Sequence, residues 1–249
     1  MSAYKNFALL YDELMKDAPY NEWIRFTNDI LQTRNVSSVV DLGCGTGEII
    51  LRLAEDGREL FGVDLSADML AIAEQKAIHT NVDVTWIKQD IRSLQGFHDV
   101  DLMISYCDVI NYITEASDLV NVFSNANKSL AEDGLFIFDV HSLAHVERNL
   151  TNRTFTYKDE SLAYIWDCFA GDIEGDMYHD MTFFYQAEQN SSLYNRIDEI
   201  HHQRTYTVEK YIELLRVANF NEIKTFADFS LKEPFSEQNS ERIFIIAQK

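Results

Sequence analysis

The sequence predicts a doubly wound α/β fold, a seven-stranded and mostly parallel sheet that carries an antiparallel β insertion. Three observations predict it. Short apolar, β-branched runs alternate with stretches of helical periodicity as far as Val140. A glycine-rich turn, Gly43–Gly47, joins the first run to the first helical stretch. After about His145 the periodicity changes to the two-residue alternation of half-buried strands, and it returns to helix near Thr207. Strands that alternate with helices pair in parallel, because a right-handed crossover packs its helix back on the twisted sheet.

Taken in order, Tyr20–Thr33 reads as a helix ahead of the sheet. Val36–Leu42 (VSSVVDL) is short and β-branched, the composition of a strand. Thr46–Asp56 carries apolar residues at helical spacing. Glu59–Asp64 is the second strand, and Ser66–Ile78 the next helix. Ser66 or Asp68 can cap that helix, since a short polar side chain accepts from the unpaired amides of a first turn. Val82–Lys88 and Asp101–Ser105 read as the third and fourth strands. Glu115–Ala131 reads as a helix and Gly134–Val140 as the fifth strand. From Arg153 to Thr205 the segments TFTYKDE, LAYIWDCFAGD, DMYHDMTFFYQ and LYNRIDEIHHQRTYT alternate and are rich in aromatics and threonine. Turn material at Gly171–Gly175 and Gln189–Ser192 separates them into three or four antiparallel strands. Thr207–Asn219 returns to helix, and Phe220–Ala227 and Arg242–Gln248 close with two strands. The expected division is residues 1–145 for N-terminal helices and α/β core, 146–205 for the insertion, and 206–249 for the closing helix and strands.

Composition narrows the function classes. Hydrophobic residues are 46% of the 249 and charged residues 25%, the proportions of a soluble globular protein. The formal net charge of −20 repels phosphate backbones and anionic headgroups, and no basic run offsets it. Neither a nucleic acid nor a membrane is therefore expected as a partner. Cys44, Cys107 and Cys168 are odd in number and far apart, which fits neither a disulfide frame nor a zinc site, and no metal is expected. The opening MSAYKNFALLYDELMKD lacks a signal pattern, and no apolar run approaches the ~18 residues of a membrane span. A cytoplasmic monomer or homodimer is expected.

The chemistry concentrates in Val39–Glu48 (VVDLGCGTGE), where a strand runs into glycines and then a helix. Glycine lets the backbone turn tightly against a ligand, and the helix amides then face it. Asp41 ends the strand just before the turn, and a carboxylate there suits an ammonium or sulfonium rather than a pyrophosphate. Asp64 ends the second strand, placed to accept from two ribose hydroxyls. After the third strand, Asp90 can accept from an exocyclic amine while Ile91 flanks a base. Together these indicate a nucleoside-containing cofactor at the carboxyl edge of the sheet.

On these residues the chain resembles the class I S-adenosylmethionine-dependent methyltransferases, with their Rossmann-like fold. VVDLGCGTGEI is similar to their first motif, GVDLSADML to the second and QDIRSL to the third, and SYCDVINYI falls at a fourth. The resemblance implies S-adenosyl-L-methionine as cofactor. It implies that Asp41 and the backbone of Gly43, Cys44 and Gly45 hold the amino-acid end. Asp64 would bind the ribose with Leu65 and Met69 beside it, and Asp90 and Ile91 would receive the adenine. Tyr106 or Cys107 would lie near the methionine portion. The lead-in Tyr4–Tyr11 (YKNFALLY) resembles that of small-molecule members, and Tyr11 would close over the cofactor.

A nicotinamide-dinucleotide oxidoreductase is the competing reading, but Glu48 stands where the third glycine of its G-x-G-x-x-G would fall. A non-catalytic S-adenosylmethionine-binding module would keep the same motifs. No N-P-P-Y or D-P-P-Y follows the fourth strand; Cys107–Tyr112 (CDVINY) stands there. The resemblance, with an insertion that small-molecule members use as a lid, implies methyl transfer to a small-molecule amine or hydroxyl acceptor. His141, Asp108 and Tyr112 are the candidates for base or acceptor anchor, with Asn111 nearby. Tyr112 and Trp166 are candidate lining of the acceptor site. His179 and the pair His201–His202 are expected to be solvated, with at most one of the pair facing a given pocket.

Overall fold

The computed structural model describes residues 10–55, 57–187, 192–232, 235–236 and 239–249. Residues 4–9 of the lead-in, Asp56 and most of the turn Gln189–Ser192 lie outside them. Residues 10–14 are helical. The elements that follow are α1 (Tyr20–Leu31), β1 (Ser38–Leu42), α2 (Glu48–Arg52), β2 (Glu59–Asp64), α3 (Ala67–Thr80), β3 (Thr85–Lys88) and β4 (Val100–Ser105). Then come α4 (Ala116–Ser129), β5 (Leu130–His141) and the insertion strands β6 (Arg153–Lys158), β7 (Leu162–Ala170), β8 (Asp176–Gln186) and β9 (Tyr194–Arg204). α5 (Val208–Val217), β10 (Glu222–Ala227) and β11 (Arg242–Gln248) complete the chain.

Among the described residues the strands form a seven-stranded sheet, β10-β11-β5-β4-β1-β2-β3, and a four-stranded sheet, β6-β7-β8-β9. The first is parallel from β3 to β5, and β11 runs antiparallel to both its neighbours. The second is antiparallel throughout. Strand order reverses between β1 and β4, and open α/β sheets place their ligand clefts beyond the carboxyl ends of such strands.

The two faces of the large sheet hold separate cores. Along β5, Phe136, Phe138 and Val140 face one core with Phe123 of α4 and Tyr211 of α5. Leu135 and Ile137 face the other, with Trp23 and Phe26 of α1 and Ile49 and Ile50 of α2. Period-two alternation along a strand produces this division. The buried apolar residues of α4 (Leu119, Val122, Phe123, Ala126) fall on one stripe of the helix, and that stripe closes the core.

Most elements stand where the sequence places them, and α3 is capped by Ser66, whose Oγ accepts from the Met69 amide. The first crossover helix is the exception, covering Glu48–Arg52 rather than Thr46–Asp56. Gly47 takes a left-handed conformation (φ 82°), so it and Thr46 belong to the turn. At the other end the Arg58 guanidinium caps the helix by donating to the Leu53 carbonyl at 3.1 Å.

The insertion sheet is two-sided. Leu162, Phe183 and Ile197 form a small cluster with Leu10, while Ile165, Phe169, Tyr178 and Ile200 lie on the opposite, exposed side. No helix among the described residues is long and apolar enough to cross a membrane.

Candidate active site

The turn after β1 is stitched to the end of β2. The amides of Gly43 and Cys44 both donate to the Val63 carbonyl, at 2.8 and 3.0 Å. The Gly45 amide donates to Asp64 Oδ2 at 2.8 Å, and the Ser66 amide to Asp64 Oδ1 at 2.8 Å. Gly43 is required twice over: its φ is 78°, and a Cβ there would stand 2.4 Å from Val109 Cγ1. Backbone amides of Gly45, Leu65 and Ser66 thus fix the Asp64 carboxylate, which when ionised has about four acceptor positions in all. The remaining capacity is available to a vicinal diol. Burial raises the Asp64 carboxyl, and the backbone amides oppose that rise.

A cavity of about 770 Å³ runs from this turn to the inner face of the insertion sheet. Of the residues expected at a cofactor, Tyr11, Gly43, Gly45, Asp64, Leu65 and Met69 line it. Asp90, Ile91 and Cys107 line it as well. Leu65 is 63% exposed although apolar, which suits a wall for a nucleobase or ribose. Asp90 is more committed than its spacing suggests. It caps the 3-10 turn Ile91–Ser93 and holds Arg92 through both oxygens, at 3.0 and 2.6 Å. The Arg92 hydrogen bonds hold its carboxyl below the ordinary range.

Three expected residues do not line the cavity. Asp41 is buried at the end of β1, where burial, then the charge of Asp64, push its carboxyl up to about 8. Cys44 is buried with its Sγ 3.9 Å from the Gly45 carbonyl. Tyr106 points into the α1 side of the core, and its hydroxyl meets Thr27 Oγ1 at 2.7 Å. Tyr106 continues the parity of Leu102 and Ile104, which face that core, while Cys107 lines the cavity from the turn beyond β4.

The candidates for base or anchor, Asp108, Tyr112 and His141, line the same cavity. The turn after β4 puts Cys107 and Asp108 at positive φ (58° and 56°), a conformation that costs a non-glycine residue about 1 kcal/mol or more. That turn aims Asp108 at His141, with Nε2 to Oδ2 at 3.4 Å. On its other oxygen Asp108 accepts from Arg242 Nη1 at 2.6 Å. Burial opposes the Asp108 charge, but His141 and Arg242 outweigh it and hold the carboxyl well below its ordinary value. Arg242 also pairs with the buried Asp139 of β5, and its guanidinium lies 5.2 Å over the Trp23 ring. Asn111 does not enter the cavity lining; it ties the site together by accepting from the His141 amide at 3.0 Å and donating to the Arg204 carbonyl at 3.0 Å.

The insertion supplies the facing wall, with Tyr164, Trp166, Met181 and Glu199 directed inward. His201 faces the cavity, where its Nδ1 meets the Tyr112 hydroxyl at 2.8 Å. His202 points the other way and stacks on Tyr178 at 4.2 Å. His179, expected to be solvated, is instead buried. The Trp166 indole donates to His179 Nδ1 at 3.0 Å, so Nε2 carries the proton and donates to Gln203 Oε1 at 3.1 Å. Burial lowers this imidazole to about 4 and keeps it neutral.

Sequence reasoning missed Arg242, Glu199 and Gln203. Glu199 and Gln203 share the parity of His201 on one strand, which is a usable signal. Arg242 carried only the hint of a charged residue opening an apolar strand; its pairing depends on the β11–β5 register, where Arg242 faces His141.

The chemistry of this set suits a cationic nucleoside: carboxylates beneath and beside a glycine turn, an apolar ledge, and no lysine or arginine among the turn residues Gly43–Gly47. Comparisons with known proteins agree. Residues 39–134 match the methyltransferase domain family. The chain is 40% identical over 247 residues to the protein named Putative methyltransferase YqeM of Bacillus subtilis, covering 99% of this chain and 97% of that one. A crystal structure of a S-adenosylmethionine-dependent methyltransferase from Clostridium acetobutylicum superposes with a TM-score of 0.87 at 29% identity, covering 99% of each chain. The sugar N-methyltransferase KedS8 from Streptoalloteichus shares the fold, with a TM-score of 0.73 at 20% identity over 98% of this chain and 92% of its own. The chain therefore belongs to the class I S-adenosylmethionine-dependent methyltransferases, enzymes whose methyl donor is S-adenosylmethionine.

Proposed function

We propose that this enzyme methylates an amine or hydroxyl of a small molecule held between the large sheet and the insertion, residues 146–205. One observation carries the reading: one cavity is lined by Asp64, Leu65 and Met69, by the inner wall of the insertion, and by His141 and Asp108. When bound, S-adenosylmethionine supplies a sulfonium methyl that a nucleophile takes by in-line displacement. The residues named above divide the work of holding and aligning the two partners. Asp64 would hold the ribose, with Leu65 and Met69 beside it. Asp90 and Ile91 would receive the adenine, and the backbone of Gly43 and Gly45, with Asp41 and Cys44, would hold the amino-acid end. Cys107 would meet the methionine portion, while Tyr106 supports that turn from the core.

His141, in its neutral form, takes the proton that an ammonium or hydroxyl nucleophile must lose, and Asp108 stabilises the imidazolium. Tyr112 keeps its proton, since enclosure of its hydroxyl, and then Asp108, raise it above the ordinary phenol value, so it serves as an anchor. Alignment supplies much of the rate in such a displacement, and the aromatic wall excludes water. The net charge of −20 disfavours a nucleic-acid acceptor. The fold shared with a sugar N-methyltransferase is in line with an amine.

Two measurements test this. In calorimetric titration Asp64→Ala weakens both S-adenosylmethionine and its demethylated product by ~1–3 kcal/mol, the cost of losing charged hydrogen bonds; unchanged affinity removes the ribose assignment. With methyl-labelled donor and a cell extract, the label enters low-mass species and His141→Ala slows its transfer. Label recovered in precipitated RNA or protein would sink the small-molecule reading.

A further inference from the structure

An ionic cluster outside the reaction centre joins three elements at the mouth of the cofactor cleft. Asp12, in the helical turn 10–14, accepts from Thr46 Oγ1 at 2.6 Å through Oδ1. Its Oδ2 lies 2.8 Å from Lys76 Nζ of α3. Lys76 also reaches Glu48 Oε1 at 2.7 Å and Thr46 Oγ1 at 3.1 Å. One ammonium therefore holds the chain ahead of the sheet, the end of the glycine turn and the start of α2. The lysine is 23% exposed and Asp12 31%, so the pair is partly withdrawn from solvent screening.

The turn that Asp12 anchors has three other side chains with separate tasks. Tyr11 lines the cofactor cavity, and its Cε1 is the atom nearest a Cβ built on Gly45, at 4.0 Å. Leu10 and Leu14 pack with Leu162, Phe183 and Ile197 of the insertion, and Leu14 lines the cavity with Tyr11. The Tyr11 ring therefore stands over the Gly45 backbone, and its chain neighbour Asp12 is fastened by Lys76.

We propose that Lys76 is a positioning residue for the cofactor: through Asp12 it holds Tyr11 across the glycine turn and so sets the rate at which the cofactor and its demethylated product leave. The proposal rests on the cofactor lying at that turn, as argued above. Lys76 touches neither substrate nor cofactor; it acts through Asp12. Removing Lys76 leaves the Asp12 carboxylate without its ammonium partner and loosens the turn that carries Tyr11.

The test is the release rate of S-adenosylhomocysteine from the full chain by surface plasmon resonance, with thermal unfolding measured in parallel. Lys76→Met and Asp12→Asn each raise the release rate about tenfold. The double variant is no faster than either single one, because both remove the same contact. Lys76→Arg restores most of the retention. Added salt accelerates release from the wild type more than from Lys76→Met. Lys210→Met, which removes a lysine paired with Glu213 on α5, leaves release unchanged. Release from Lys76→Met within about twofold of wild type, or rates that multiply in the double variant, overturns the proposal. A fall in thermal stability of Lys76→Met with unchanged release assigns the cluster to folding alone and also overturns it. Failure of the wild type to bind S-adenosylhomocysteine overturns the placement of the cofactor instead, and the proposal with it.

Discussion

Asp41, one residue before the end of β1, is almost wholly enclosed, near a second carboxylate, Asp64, on the neighbouring strand. Burial first, and then Asp64, push it up to about 8, so near neutral pH it holds a proton that an exposed aspartate would have lost. The sign follows for stability. A raised folded value favours folding fully below the unfolded value near 4 and loses that contribution as pH rises through about 8. A ligand bearing an ammonium and a sulfonium reverses the local field and pulls the carboxyl down. Binding of S-adenosylmethionine near pH 7 is therefore expected to release a fraction of a proton, up to about one. Calorimetry in buffers of different ionisation enthalpy reads this directly. Asp41→Asn removes the buffer dependence, and S-adenosylhomocysteine, which lacks the sulfonium charge, releases less. Equal release by both ligands would mean that some other group loses the proton. Asp41 and Asp64 were legible in the sequence because each lies at a fixed distance from the glycines along the chain. Arg242 was not, because the contacts that make it matter, to Asp108 and Asp139, span more than a hundred residues.

The insertion sheet shows the same limit for whole elements. Alternation along Leu162–Ala170 and Asp176–Gln186 was enough to read strands, and turn residues were enough to separate them. Alternation alone does not say which parity faces the partner, since a one-residue slip exchanges the faces. His179 fell on the buried parity with Met177 and Phe183, so an expected surface histidine became part of the wall. Its imidazole now links Trp166 of β7 to Gln203 of β9 across β8. Burial, with Gln203 opposing it, lowers the imidazole to about 4, whereas the unfolded chain titrates near 6.5. The group therefore contributes stability above pH ~6.5, and that contribution is lost as pH falls through about 4, to a total of about 3 kcal/mol. Trp166 reports it, because protonation of Nδ1 removes the acceptor of the indole N–H. We expect the Trp166 emission to shift with a midpoint near 4, and His179→Gln to flatten the dependence of stability on pH between ~6.5 and ~4. An unchanged slope in the variant would show that the buried imidazole is not the group that titrates.

At the scale of the whole molecule, two bodies of unequal strength share one cavity. Both faces of the large sheet are closed by extensive cores, which contain most of the fully buried aromatics. The insertion relies on two small clusters, one of which borrows Leu10 and Leu14 from the turn ahead of α1. Few buried apolar contacts and an exposed outer face are the marks of a segment that opens before the rest of a protein unfolds. The insertion is therefore expected to exchange its amides through a sub-global opening that leaves β1, β4 and β5 intact. In hydrogen exchange, β6–β9 should lose protection about a hundredfold faster than those central strands. S-adenosylhomocysteine should slow residues 10–14, the turn after β1 and the turn after β4, because these surround the cofactor end of the cavity. It should also slow β8 and β9 at Phe183 and Ile197, which contact the turn 10–14 through Leu10, while β6, at the far edge of the sheet, stays as fast as before. Slowing confined to the glycine turn would show that the two lobes are not coupled through residues 10–14. Uniform exchange of insertion and core would show a single cooperative unit, in which acceptor entry needs a route other than opening of the insertion.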